Sequence, residues 1–71
     1  MERNRITLYR PRKENAVTDK QLMFLHALFM KKNILFPFDS DQEAKRKLSK
    51  YDASRIIDAL MKGDKIQIRY I

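Results

Sequence analysis

Two helix starts constrain the fold of this 71-residue chain more than any other feature of its sequence. In each, a hydroxyl residue precedes an apolar stretch, and a Gln or Asp follows three residues later: Thr18 with Gln21, and Ser49 with Asp52. This spacing is typical of the capping box, in which two side chains satisfy backbone N–H groups at a helix N-terminus. The sequence therefore predicts a helix directly after each hydroxyl residue.

The apolar pattern behind each start predicts how far the helices extend. The first helix is expected over about residues 19–32 and has apolar side chains on more than one side. The last helix is expected from Ser49 or Lys50 to about Lys62, with one apolar face and Gly63 as its C-terminal stop. Because the first helix is apolar on most sides, we expect it to contact the terminal strands and to leave some surface for a second chain.

Both ends of the chain have the pattern of β-strands. Residues 6–9 are rich in β-forming side chains, and residues 65–71 alternate, with Ile66, Ile68 and Tyr70 on one face. An unpaired strand would leave its backbone groups without partners, so we expect the two segments to pair beneath the helices. The predicted fold class is α+β, with two main helices packed on a small sheet formed by the N- and C-terminal strands, in a single small domain of residues 1–71.

The stretch between the two main helices has an apolar part and a polar part. Residues 34–38 are apolar but contain Pro37, which predicts an extended segment that returns across the first helix with Phe36 and Phe38 as anchors. The polar residues 39–41 could cap a short helix through residues 42–47, and a long loop is the alternative.

The charge balance favours anionic partners. Sixteen Lys and Arg against nine Asp and Glu give a net charge of +7, which attracts nucleic acid through counterion release. If the terminal strands pair, their cations could share one surface near Tyr9 and Tyr70, whose rings could stack on bases. The candidate nucleic-acid-binding residues are Arg5, Arg10, Arg12, Lys13, Lys65 and Arg69. The alternative is a solvated surface whose charges only keep the protein soluble.

Apolar side chains suggest a second kind of contact. The candidate partner-binding residues are Phe24, Phe36, Phe38 and Tyr70. A chain of this length buries only about 60% of its unfolded surface, so a partner or a dimer would help to stabilise it. The sequence leaves open DNA, a replication or recombination protein, and a second copy of the chain as partners.

The sequence argues against catalysis, metal binding and membrane insertion. There is no cysteine, and the one histidine, His26, cannot build a zinc site, which needs three or four ligands. Asp39 and Asp41 lack the glycine and the final Glu of a calcium loop, and no serine has the surroundings of a nucleophile. We expect a protein that is not an enzyme, has no cofactor or metal, does not enter membranes and resides in the cytoplasm.

Two short motifs resemble a known family. The pattern T-x-K-Q begins at Thr18, and the pattern L-S-K-x-x-A-S-x-I-I begins at Leu48. Together they resemble a small helical module found in phage recombination and replication proteins, and as free-standing small phage proteins beside T4-type recombination helicases. The resemblance covers residues 18–62. It implies a non-catalytic phage or prophage accessory protein that acts in DNA recombination, replication or host takeover, and it supplies no catalytic residue. The alternative is a protein-binding inhibitor or regulator with no affinity for nucleic acid.

Overall fold

The computed structural model describes residues 3–70, and the side chains within residues 5–69. Along this part of the chain the elements are strand β1 (Arg3–Leu8), a 3-10 turn (Lys13–Asn15), helix α1 (Asp19–Lys31), helix α2 (Asp41–Lys47), helix α3 (Lys50–Met61) and strand β2 (Lys65–Tyr70). The predicted α+β class is confirmed. Ile71, which the sequence pattern adds to the last strand, lies outside the described residues.

The two terminal strands pair in parallel, with Ile6 opposite Ile68. Ile6 is buried and Ile68 half-buried on the inner face, as the alternating pattern predicts. Strand β1 differs from the prediction, because it begins at Arg3 and ends before Tyr9. Its polar first half completes the ladder opposite Lys65–Gln67, and backbone hydrogen bonding, unlike side-chain hydropathy, does not depend on residue type.

Helix α3 is the centre of the packing, since it lies on both strands while α1 packs on α3. Part of the α1 surface is expected against the strands; in the structure α1 packs mainly on α3, and α3 covers both strands because its apolar residues form one continuous face. The hydrophobic core consists of Ile6, Leu8, Val17, Leu22, Leu25, Phe29, Phe38, Ala44, Leu48, Ala53, Ile56 and Leu60.

The two predicted helix starts are present, but their caps differ. In α1 the box is reciprocal: the Gln21 backbone N–H donates to Thr18 Oγ1 at 3.0 Å, and the Thr18 N–H donates to Gln21 Oε1 at 3.2 Å. In α3 the Asp52 N–H donates to Ser49 Oγ at 3.0 Å. The Asp52 side chain, one methylene shorter than glutamine, is buried and lies 3.8 Å from Arg55 Nη1 instead of closing a box.

Both main helices also end in the same way, with a residue in the left-handed conformation. Asn33 has φ of +58° after α1, and Gly63 has φ of +81° after α3. The next backbone N–H then reaches back to the last turn, from Ile34 to the Phe29 carbonyl at 2.9 Å and from Asp64 to the Ala59 carbonyl at 3.0 Å. This Schellman arrangement stops each helix and turns the chain away from its axis.

The segment after α1 returns across the helix as predicted. Phe38 is buried, and the Phe36 ring lies 5.6 Å from Phe29 and 5.5 Å from Phe38 between ring centroids. Ser40 then caps α2, accepting the Glu43 backbone N–H at 3.1 Å. Of the two alternatives for this region, the short helix is the one that forms.

We expect Thr18→Ala and Ser49→Ala each to lower the free energy of unfolding by about 1 kcal/mol, because each hydroxyl satisfies a helix N–H. Urea denaturation followed by circular dichroism measures this loss. Ser54→Ala is the matched control, because Ser54 is exposed in the middle of α3 and its replacement should be neutral or slightly stabilising. Denaturation curves of the two cap variants that overlay the parent curve would contradict the proposed caps.

Candidate nucleic-acid interface

The N-terminal ends of α1 and α3 are held side by side by two long-range hydrogen bonds. The Val17 N–H donates to the Leu48 carbonyl at 2.9 Å, and Gln21 Nε2 donates to the Lys50 carbonyl at 3.2 Å. Gln21 therefore serves two helix starts at once, since its Oε1 closes the α1 cap. These bonds place the connector between β1 and α1 against the start of α3 and the end of α2.

A cleft of about 940 Å³ opens where these elements meet, and we call it the basic cleft. Its charged lining residues are the cations Arg10, Lys13, Lys45, Arg46 and Lys50 and the anions Glu14 and Asp19. Lys45 forms an ion pair with Asp19. Among the described residues the other four cations form no ion pair, so the cleft keeps an excess of positive charge.

A second cationic surface lies on the side of the sheet that faces away from the helices. We call it the cationic sheet face and define it by Arg5, Lys65 and Arg69. Because parallel strands in register place opposite residues on the same face, Arg5 sits beside Gln67, and Arg69 beside Thr7. The three cations are exposed and have no ion-pair partner among the described residues.

The structure places five of the six predicted nucleic-acid-binding residues on these two surfaces, and Arg12 on neither. Arg5, Lys65 and Arg69 define the cationic sheet face, Arg10 and Lys13 line the basic cleft, and Arg12 is exposed in the connector between them. Sequence reasoning missed three cleft residues, which are Lys45, Arg46 and Lys50. The run of cations before α3 was visible in the sequence, but only the contact between the two helix starts brings it to the connector.

The three predicted partner-binding residues whose side chains are described, Phe24, Phe36 and Phe38, differ in exposure and do not form one surface. Phe38 is buried in the core, which corrects its assignment as a contact residue, because the apolar segment closes over α1 and leaves its ring no exposed face. Phe36 is half-buried, stacked on His26 at 4.1 Å between ring centroids. Phe24 is 46% exposed and lines a shallow apolar groove of about 330 Å³ with Ile57. The side chain of Tyr70 lies outside the described part of the structure.

Two further sets of ionisable contacts involve α2, one between α1 and α2 and one at the start of and within α2. His26 Nε2 lies 2.8 Å from Asp41 Oδ1 in the first turn of α2. At the same helix the Lys47 ammonium, at 2.7 Å, and the Asp39 backbone N–H lower the pKa of the Glu43 carboxyl. Since α2 carries Lys45 and Arg46, the His26 to Asp41 contact links the helix with these two cleft cations to α1.

Other site types are not apparent in the described part of the chain. Within residues 3–70 no three potential metal-ligating side chains of the His, Cys, Asp and Glu types come together. In the same range no helix is both long and apolar enough to cross a bilayer.

Comparison with known proteins returned no match among protein-family models, among curated proteins or among solved structures. The geometry and charge of the described residues are therefore the basis for assigning a function.

We expect the Glu43 contacts to stabilise α2 in a pH-dependent way. Because the folded-state pKa of Glu43 is lowered, this contribution is present above the ordinary glutamate range, near about 4.3, and is lost as the pH falls through the folded value. Lys47→Gln should raise the pKa of Glu43, which is measured by NMR titration of its side-chain carboxyl. Lys20→Gln, a charge-matched change on exposed α1 surface, should not. An unchanged titration in Lys47→Gln would contradict the assigned cause.

Proposed function

We propose that this chain is a non-catalytic accessory protein that binds nucleic acid through the basic cleft and the cationic sheet face. The observation that carries the proposal is the gathering of five cations from three separate segments around one cleft. Folding brings like charges together there, and it leaves four of them without an ion-pair partner among the described residues. A surface of this kind is attractive to a phosphate backbone, which releases its condensed counterions on binding.

The exposed position of these Lys and Arg side chains predicts how they contact a nucleic acid. Lys and Arg on exposed surfaces contact phosphate oxygens, which fixes the position of a nucleic acid but carries no sequence information. We therefore expect binding without base preference and with a dissociation constant on the order of micromolar or weaker at physiological salt. The affinity should fall steeply as salt is added, because each phosphate contact contributes to the counterion term.

The resemblance to the phage helical module supports a cellular setting for this activity. The two motifs of that module, beginning at Thr18 and Leu48, form the two helix starts whose contact builds the cleft. We propose that the chain is a phage or prophage protein that acts in the cytoplasm in DNA recombination, replication or host takeover. In that setting its partners are DNA and a protein of the recombination or replication machinery.

A second candidate function is a protein-binding inhibitor or regulator with no affinity for nucleic acid. It is favoured by large apolar side chains that the fold leaves in solvent, with Leu35 92% exposed and Met30 82% exposed. Phe24 and Met23 add to this exposed surface of α1. Large apolar side chains left in solvent are the kind of group that contacts a protein, either a regulated partner or a second copy of the chain. In this function the cations serve only solubility.

Binding of fluorescein-labelled DNA, followed by anisotropy at low and at physiological salt, tests the proposal. The double variant Arg10→Gln/Arg69→Gln removes one cation from each surface, and we expect it to bind about tenfold more weakly at low salt. The slope of log affinity against log salt should fall by about 1.5. The matched control is Lys31→Gln/Lys32→Gln, which removes the same charge at the end of α1 remote from the cleft and should bind like the parent.

Three results would contradict the proposal. No binding at low salt would remove nucleic acid as the ligand and favour the protein-binding regulator. Equal losses in the two double variants would show that only net charge matters, and not these two surfaces. A parent affinity that does not change with salt would exclude phosphate contacts as the source of binding.

A further inference from the structure

Strand β1 connects the two cationic surfaces. Arg5 and Thr7 lie on the outer side of the sheet, where Thr7 is paired with Arg69. Arg10 and Pro11 follow shortly after the strand and line the basic cleft. Five residues of extended chain span no more than about 18 Å, so the step from Arg5 to the first cation of the cleft is short. We call the route from the cationic sheet face around the end of β1 to the basic cleft the cationic path.

An exposed aromatic side chain lies between the two cationic surfaces, at the end of β1. Tyr9 is the residue between the end of β1 and Arg10, and it is 59% exposed. Tyr9 directly precedes Arg10 and follows Arg5 by four residues, so a stacking platform and phosphate contacts lie close together along the chain. Proteins that hold nucleic-acid strands without sequence preference combine these two elements, because every base has a face on which an aromatic ring can stack.

We infer that the ligand of this path is single-stranded DNA, which runs from the cationic sheet face over Tyr9 into the basic cleft. This inference rests on the proposed function and specifies its ligand. The sheet face points away from the helices, whereas helix residues line the cleft, so the bound strand must turn around the end of β1. A single strand makes such a turn easily, while duplex DNA is stiff over about 50 nm.

The second reason to expect a single-stranded ligand is that its base faces are accessible to a protein side chain. In a duplex the base faces are stacked on one another and cannot reach a protein ring unless the helix is opened. In a single strand they are accessible, and stacking of one base on Tyr9 adds to the phosphate contacts. The longest dimension of the chain is 34 Å, so we expect a site of about four to eight nucleotides, within the range of small single-strand-binding folds.

The experiment compares labelled dT12 with a 12-base-pair duplex by anisotropy at low salt. We expect the parent to bind dT12 about tenfold or more tightly than the duplex. Tyr9→Leu should weaken dT12 binding about fivefold or more and leave duplex binding unchanged, because only the stacking contact is lost. Tyr9→Phe keeps the ring and should restore the parent affinity for dT12.

Tyr51→Leu is the matched control. Tyr51 is an even more exposed tyrosine, at 72%, but it is not among the lining residues of the cleft and its ring lies 5.7 Å from the Arg55 guanidinium carbon. Its replacement should leave both affinities unchanged. Circular dichroism melts of all variants establish that they remain folded.

The outcomes separate this inference from the proposed function. Equal or tighter binding of the duplex, or a folded Tyr9→Leu variant with the parent affinity for dT12, overturns the single-strand inference and leaves DNA binding in place. No binding of either probe removes the proposed function itself. If Tyr9→Leu does not fold, tyrosine emission of the Tyr51→Phe/Tyr70→Phe variant, in which Tyr9 is the one remaining tyrosine, gives a second measurement: quenching by dT12 supports stacking, and no quenching overturns the inference.

Discussion

The parallel pairing of the two ends of the chain is the interaction on which the rest of the structure depends. Parallel strands cannot be joined by a tight turn, so all three helices lie in the crossover between β1 and β2. The helices cover the inner face of the sheet, with α3 in contact with both strands. Parallel sheets are commonly covered on both faces, but here the outer face carries Arg5, Lys65 and Arg69 and can remain hydrated. The cationic sheet face is therefore a direct result of the topology.

The contact between the helix starts has a similar effect on the basic cleft. The hydrogen bond from Val17 to Leu48 closes a loop of some thirty residues that contains α1, the apolar segment and α2. Closing this loop brings the cations of α2 to those of the connector, although they are far apart in sequence. The Lys45 to Asp19 ion pair crosses the cleft, but both side chains are well exposed and such pairs contribute little to stability. The relative positions of the segments that line the cleft are therefore set mainly by backbone hydrogen bonds and core packing.

The sequence predicts that the chain self-associates, and this stays a prediction. The charges on the outer face of the sheet affect which surfaces two copies could use. The outer edge of β2 is a natural place for a second strand to pair. If two copies paired antiparallel about Gln67, Lys65 of one strand would lie opposite Arg69 of the other. Like charges directly opposite each other destabilise a sheet. An antiparallel dimer in this register is therefore disfavoured.

Local features of the sequence determined the ends of the two main helices and the inner face of β2. The hydroxyl at Thr18 or Ser49 and the left-handed residue at Asn33 or Gly63 act within one turn of helix, so the sequence around them is enough to place helix ends. The alternation in residues 65–70 likewise fixed which side of β2 faces the core. The tertiary structure alone decided the direction of strand pairing, the start of β1 at Arg3 and the meeting of Lys45, Arg46 and Lys50 with Arg10. These features depend on contacts between residues that are distant in sequence. The free energy for such contacts comes from burying one shared core, and no short stretch of the chain encodes that core by itself.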